Sequence, residues 1–232
     1  MTERLRVIYG EIPECESFAD VGCDHGYIAN AMLVNRKCER AVFSDVSEKC
    51  LEKARVLLAS FVQEGKAEGR LSDGLKNVPA VGCALIAGMG GEEIIKILKE
   101  APFLPEKLVL QPMKNVDKVR AFLVNFGYRI VKDYVFFAEN RYYDLIVSEQ
   151  GNDRLTDEET EFGRTNLREF SEAFIKRLSE EAARKREFSK NPDLSEETRE
   201  KFLAEAERLE KYAEKGRIKN GKNHGKARYR GD

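Results

Sequence analysis

The 232-residue chain carries 40 basic and 41 acidic residues, 42% hydrophobic residues and no tryptophan. That length suits one full α/β domain plus a smaller unit, and no apolar run approaches the roughly 18–20 residues a bilayer span needs. Five scattered cysteines without a CxxC pair argue against a disulfide framework or a structural zinc site.

The opening MTERLRVIYGEIPE lacks the apolar stretch of a signal peptide, so a reducing, cytoplasmic setting is expected. From there to about residue 150, short apolar runs alternate with helical patterns, as in a βα-repeating domain. SFADVG (17–22) reads as a strand ending in glycine, and residues 25–36 as the helix behind it. AVFSDVS (41–47) is a second strand, with Ser47 placed to cap a helix over 48–65. RLSDGL (70–75), CALIAGMGG (83–91) and KLVLQP (107–112) read as three further strands, with helices after the last two. YRIVKDYVFFAE (128–139) and RYYDLIVSE (141–149) are β-rich runs with almost no spacer and should pair as an antiparallel hairpin.

From Leu155 the β signal stops. Leu155, Phe162, Leu167, Phe170, Phe174, Leu178 and Ala182 recur at helical steps, NPDLS (191–195) breaks the pattern, and a second stripe follows at Phe202, Ala206, Leu209 and Ala213. An antiparallel, coiled-coil-like helical hairpin is expected. The last stretch, 215–232, holds seven basic residues against Asp232, leaving 33 basic and 40 acidic residues before it. It is expected to be disordered, either a solubilising terminus or an arm for a polyanion such as RNA.

Ligands of an open parallel sheet bind beyond the carboxyl ends of its strands. Asp20, Gly22, Asp45, Asp73, Gly74, Gly88, Gly90, Gln111 and Pro112 all fall at such ends. The first loop is not GxGxxG, and Gly22 and Gly26 alone fit a purely steric turn. Asp45, however, lies 19 residues past Gly26, near the offset at which a carboxylate grips ribose hydroxyls. Asp73 could accept from an adenine amine, and Asp20 or Asp24 could face a cationic sulfonium. His25 stands open between a turn-satisfying and a catalytic role, and Met89 between gap-filling and ligand contact. A nicotinamide-dependent dehydrogenase fits poorly without GxGxxG. An RNA-binding adaptor would not need both Asp45 and Asp73.

DVGCDHGYI (20–28) resembles the DIGSDHAYLP signature of the bacterial tRNA (adenine(22)-N1)-methyltransferase family. SDVS, SDGL, AGMGG and LQP fall where that family has its further motifs. The resemblance implies a Rossmann-like, seven-stranded class I methyltransferase domain over 1–150, and a helical coiled-coil hairpin for tRNA over 151–214. S-adenosyl-L-methionine (SAM) would be the cofactor and N1 of a tRNA adenine the acceptor, in a monomer with no metal and no membrane. It implies Asp24 and His25 as catalytic, and Asp20, Gly22, Asp45, Val46, Asp73, Gly74, Ala87 and Gly88 as cofactor-binding. Tyr27, Met89, Gly90, Gln111 and Pro112 would face the substrate. This chain departs from the pattern at Gly26 and Ile28-Ala29, in QPMKN where the family has QPN, and in FGRTN (162–166).

Overall fold

The structure is a computed structural model and describes residues 1–227. Its sheet comprises β1 (Cys15–Val21), β2 (Cys38–Asp45), β3 (Ala67–Leu71), β4 (Cys83–Met89), β5 (Lys107–Pro112), β6 (Tyr128–Ala138) and β7 (Arg141–Gln150). The spatial order is β3-β2-β1-β4-β5-β7-β6. The first five strands run parallel, while β7 is antiparallel to both its neighbours. This is the expected seven-stranded, Rossmann-like arrangement with its terminal hairpin. Glu139 and Asn140 close that hairpin, both at positive φ (51° and 59°), as a two-residue turn between right-twisted strands requires.

Helices α1 (Glu3–Glu11), α2 (Tyr27–Val34), α3 (Glu48–Leu57), α4 (Ala59–Gln63), α5 (Gly91–Lys99) and α6 (Val116–Asn125) flank the sheet. Two apolar layers result. One joins Ile8, Phe18, Met32, Phe43 and Leu51; the other joins Leu75, Ile94, Leu98, Val119 and Leu123. Each such side chain contributes about 1.5–3 kcal/mol on burial. Helix α1 was not anticipated from the sequence, although Thr2 caps it by accepting from Leu5 N, and Leu5, Ile8 and Ile12 follow at helical spacing. The third strand ends at Leu71, which leaves Asp73 on the following loop, and the 48–65 helix breaks at Leu58 into α3 and α4.

The C-terminal part corrects two expectations. The first long helix is three pieces, α7 (Asp157–Phe162), α8 (Arg164–Glu169) and α9 (Glu172–Phe188), followed by α10 (Glu196–Ala227). Breaks fall at Gly163 (φ 88°) and Phe170 (φ 49°). At Gly163 a Cβ would meet Asp133 Oδ2 and Arg120 Nη2, so only glycine lets the chain turn over that buried pair. Second, the segment expected to be disordered from 215 continues as α10 to Ala227; 228–232 lie outside the described residues. Its beginning docks: Arg217 Nη2 donates to Ser179 Oγ (2.7 Å), Asn220 Nδ2 donates to Phe170 O (3.0 Å), and Gly216 fits against Phe170 and Ile175. Composition alone missed these contacts because they join residues about 40–50 positions apart.

Helices α9 and α10 form an antiparallel hairpin, with Lys185 on Glu205 and Arg186 on Glu210 (2.5 and 2.7 Å). Phe174, Leu178, Ala182, Ala206, Leu209 and Ala213 fill its seam. A polar junction ties this unit to the sheet. Arg120 Nε donates to Asp133 Oδ2 (2.9 Å), and Arg120 Nη1 donates to Thr160 O and Glu161 O. The Asp133 carboxylate also accepts from Arg164 N and Thr165 N.

Candidate active site

The carboxyl ends of β1, β2 and β4 meet where the strand order reverses, the place an open α/β sheet offers to a ligand. Gly22 N and Cys23 N both donate to Ser44 O (2.8 and 2.9 Å), fastening the β1 loop to β2. Gly22 has φ 71° and lies beneath Met89 Cε, so a side chain there would be both strained and obstructed. The expected cofactor-side Gly22 and substrate-side Met89 therefore touch.

Asp45 stands at the end of β2 with both carboxylate oxygens held by backbone. Asp24 N donates to Oδ2 (3.1 Å) and Ser47 N to Oδ1 (2.9 Å). Each oxygen keeps acceptor capacity, giving two adjacent acceptors that match a vicinal diol. Val46, next in the chain, is exposed and offers an apolar surface beside them. Asp20 is buried, and its Oδ2 accepts one bond, from Ala29 N (3.2 Å). Burial pushes its carboxyl up to about 7 against the opposing effect of that bond, and the Asp45 charge adds to the rise.

Asp24 lies at φ 48°, its side chain turned outward, with Oδ2 2.7 Å from His25 Nδ1. His25 Nε2 is 3.4 Å from Lys53 Nζ, and its ring stacks on Tyr27 at 5.5 Å with an interplanar angle of 5°. Asp24 is ionised as an acceptor, so the Nδ1 side of the ring is the one that donates to it, whichever way Nε2 and Lys53 share their contact. His25 thus orients the Asp24 carboxylate.

On the other side, Ala87 and Gly88 end β4 at an irregularity in its ladder with β5. Met113 N donates to Met89 O (2.8 Å) and Gly91 N to Lys114 O (3.0 Å), joining the two loops, and Lys114 lies over Gly90. Of the other expected residues, two lie at the end of β5 and two in the turn after β3. Gln111 and Pro112 are buried beneath the exposed Met113 and Lys114, because β5 remains paired through its last residue. Asp73 is ion-paired with Lys76 (2.7 Å), which also holds Glu100 (2.8 Å). Lys76 keeps the Asp73 carboxyl below its ordinary value. Gly74 lies in the same turn, its carbonyl accepting from Ser72 Oγ.

A cleft of about 90 Å³ opens among Arg4, Asp20, Gly22, Asp24, His25 and Ala87. Arg4 is the member that sequence reasoning missed, for the same reason that it missed α1. A larger hollow of about 180 Å³ lies under the helical unit, near Asp144 and Phe162. Its Asp144 pairs with Arg177 (2.7 Å), and it sits away from the strand ends that carry the glycines. Among the described residues no group of three or more His, Cys, Asp or Glu side chains is placed to hold a metal ion, and no helix is long and apolar enough to cross a membrane.

Comparison with known proteins gives the same picture. A sequence family described as a methyltransferase domain matches residues 1–146. A Mycoplasma pneumoniae protein named as a candidate tRNA methyltransferase is 36% identical over 111 residues, 47% of this chain and 51% of that one. The tRNA (adenine(22)-N(1))-methyltransferase of Bacillus subtilis is 26% identical over 157 residues, 66% of each chain. This chain therefore spans from about half to two thirds of the length of these relatives. A solved structure of M. capricolum TrmK, described as a complex with the cofactor product S-adenosyl-homocysteine (SAH), superposes with a TM-score of 0.82 at 23% identity, covering 92% of this chain and 98% of that one. With the family match spanning most of the sheet and its glycine-lined rim, this chain belongs to the methyltransferase domain family.

Proposed function

We propose that this protein transfers a methyl group from SAM to N1 of an adenine in tRNA, at position 22 as in the named Bacillus relative. The observation that carries the reading is the joint placement of Asp20, Asp45 and the Asp24–His25 pair around one glycine-floored rim. The residues fit a nucleoside carrying an amino-acid end: Asp45 presents two acceptors for the ribose diol, and Gly22 and Gly88 leave the backbone bare. Asp20 brings a buried carboxylate with a single partner.

The chemistry SAM supplies is a methyl group on a positively charged sulfur. Adenine N1 attacks with its lone pair, the carbon–sulfur bond breaks with its electrons left on sulfur, and the positive charge passes to the adenine. No proton need leave first. The protein's work is then positioning and electrostatic support. Asp24, turned outward and held to His25, is the carboxylate that supports the cationic ring in this reading. Tyr27, stacked on His25, offers a face to a base turned out of its helix. The α9–α10 hairpin, with Lys215, Arg217 and Lys219 along α10, supplies a rod for the tRNA body, since RNA helices are read by shape and backbone.

Incubation with radiolabelled SAM and unmodified bulk tRNA, followed by nucleoside analysis, should yield 1-methyladenine. Label in another nucleoside, or none in tRNA, would overturn the reading. Asp24→Asn should lower turnover about 100-fold while leaving SAH affinity unchanged; full turnover would remove Asp24 from the mechanism.

A further inference from the structure

The amino-acid end of such a cofactor is a zwitterion, and holding it takes a fixed anion for the ammonium and a fixed cation for the carboxylate. Asp20 provides the anion. We propose that Arg4 provides the cation, anchoring the cofactor's α-carboxylate across the cleft from Asp20. This rests on the methyltransferase reading above and adds a residue to it.

Arg4 is the one lysine or arginine lining the cleft. Arg4 is half-buried and among the described residues makes no ion pair, although the Glu139 carboxylate, which accepts from Arg4 N, lies near enough to feel its charge. Arg164 and Arg177, comparably buried, each pair with an aspartate, at 2.9 and 2.7 Å. A half-buried charge with no direct ion pair is stabilised when an anion arrives to contact it.

The group is nevertheless held in place. Arg4 Nη1 donates to Gln111 Oε1 (2.8 Å), and Gln111, fully buried, is fixed in turn by donating to Pro112 O (3.3 Å). The guanidinium carbon lies 5.7 Å from the centre of the Tyr143 ring. The first turn of α1 is tied to the β6–β7 hairpin, Arg4 N donating to Glu139 Oε1 and Glu139 N to Glu3 Oε2 (both 3.4 Å). Of five guanidinium N–H groups, one has a protein partner among the described residues. Gly88 faces the group, with Nη1 3.5 Å from where a Cβ would stand, so that a carboxylate can enter. A buried glutamine at the end of β5 thereby gains a purpose: it aims Arg4.

Two ligands separate this role from others. SAH carries the amino-acid end, whereas 5′-methylthioadenosine keeps the nucleoside and the thioether without it. In calorimetric titrations of the full chain, Arg4→Ala should weaken SAH binding about 10- to 100-fold, the worth of a charge-assisted hydrogen bond, and leave methylthioadenosine unchanged. Arg4→Lys should recover part of the loss, and it also serves if the alanine variant fails to fold. Equal loss for both ligands would make Arg4 a structural prop and overturn the proposal. Unchanged SAH affinity with weakened tRNA binding would assign Arg4 to an RNA phosphate instead, and would also overturn it. If the unaltered chain bound neither ligand, the methyltransferase reading would itself fall.

Discussion

The molecule buries charge in two places and treats it differently in each. At the junction of sheet and helices, Asp133 accepts from Arg120, Arg164 N and Thr165 N, while Arg120 also donates to two carbonyls. At the rim, Asp20 has one backbone bond and Arg4 one side-chain bond. The first set joins residues of several elements, with Arg120 Nη2 buried and left without a hydrogen bond among the described residues, and holds two parts of the chain together. The second keeps spare capacity, facing a cleft. Burial alone does not mark a functional group; a charged group with few partners that also lines an open cleft is the better candidate.

Breaking the junction should produce the largest effect. Arg120→Met leaves Asp133 charged and buried beside fewer donors, which should cost about 3–5 kcal/mol in urea unfolding. SAH affinity of the folded fraction should hold. A loss of affinity at full stability would show that the two places are not separate.

Titrating the rim comes next. Asp20 has a folded-state value raised from 3.8 to about 7, so the folded chain keeps a proton that the unfolded chain releases between those limits. In the absence of ligand, stability should therefore fall as pH rises from about 4 to about 7, then level off. Binding an ammonium favours the ionised form, so SAH affinity should rise with pH through the same upper limit, with proton release measurable by calorimetry in buffers of different ionisation enthalpy. Asp20→Asn should flatten both profiles.

The smallest effect belongs to the exposed hairpin seam. Arg186→Ala removes a two-pronged contact with Glu210, yet solvent screening should keep the fall in urea midpoint small and let it diminish further in salt. A large fall would mean that the α9–α10 seam behaves as interior.

Much of the sheet was legible because its strands are short apolar runs separated by glycine, and the hairpin because two β-rich runs had almost no spacer. The rim was legible at Asp20, Asp45 and the glycines, whose positions follow from strand ends. What escaped depended on distant contacts. Arg4 is held at the cleft by Gln111, 107 residues away. Gly163 breaks a helix because of Arg120 and Asp133. Residues past 214 read as a loose tail until Ser179 and Phe170 were in view. The pairing of Asp73 with Lys76, which Glu100 shares, likewise needs the loop after β3 and the end of α5 side by side.

The tie between α1 and the β6–β7 turn also bears on how the protein is made. Glu11 accepts from Lys132 Nζ and Tyr134 Oη, and Arg4 N reaches Glu139, so the first helix docks on strands more than 120 residues downstream. Translation releases α1 early and α2 and β5 offer part of its seat, but its ties to Lys132, Tyr134 and Glu139 wait for β6 and the turn after it. A nascent chain halted before residue 128 can assemble the glycine loop of β1 and the Asp45 end of β2, yet it lacks the strand and turn that fasten α1, the helix carrying Arg4. The cleft is thus completed late in synthesis, and its closure reports that the whole sheet has formed.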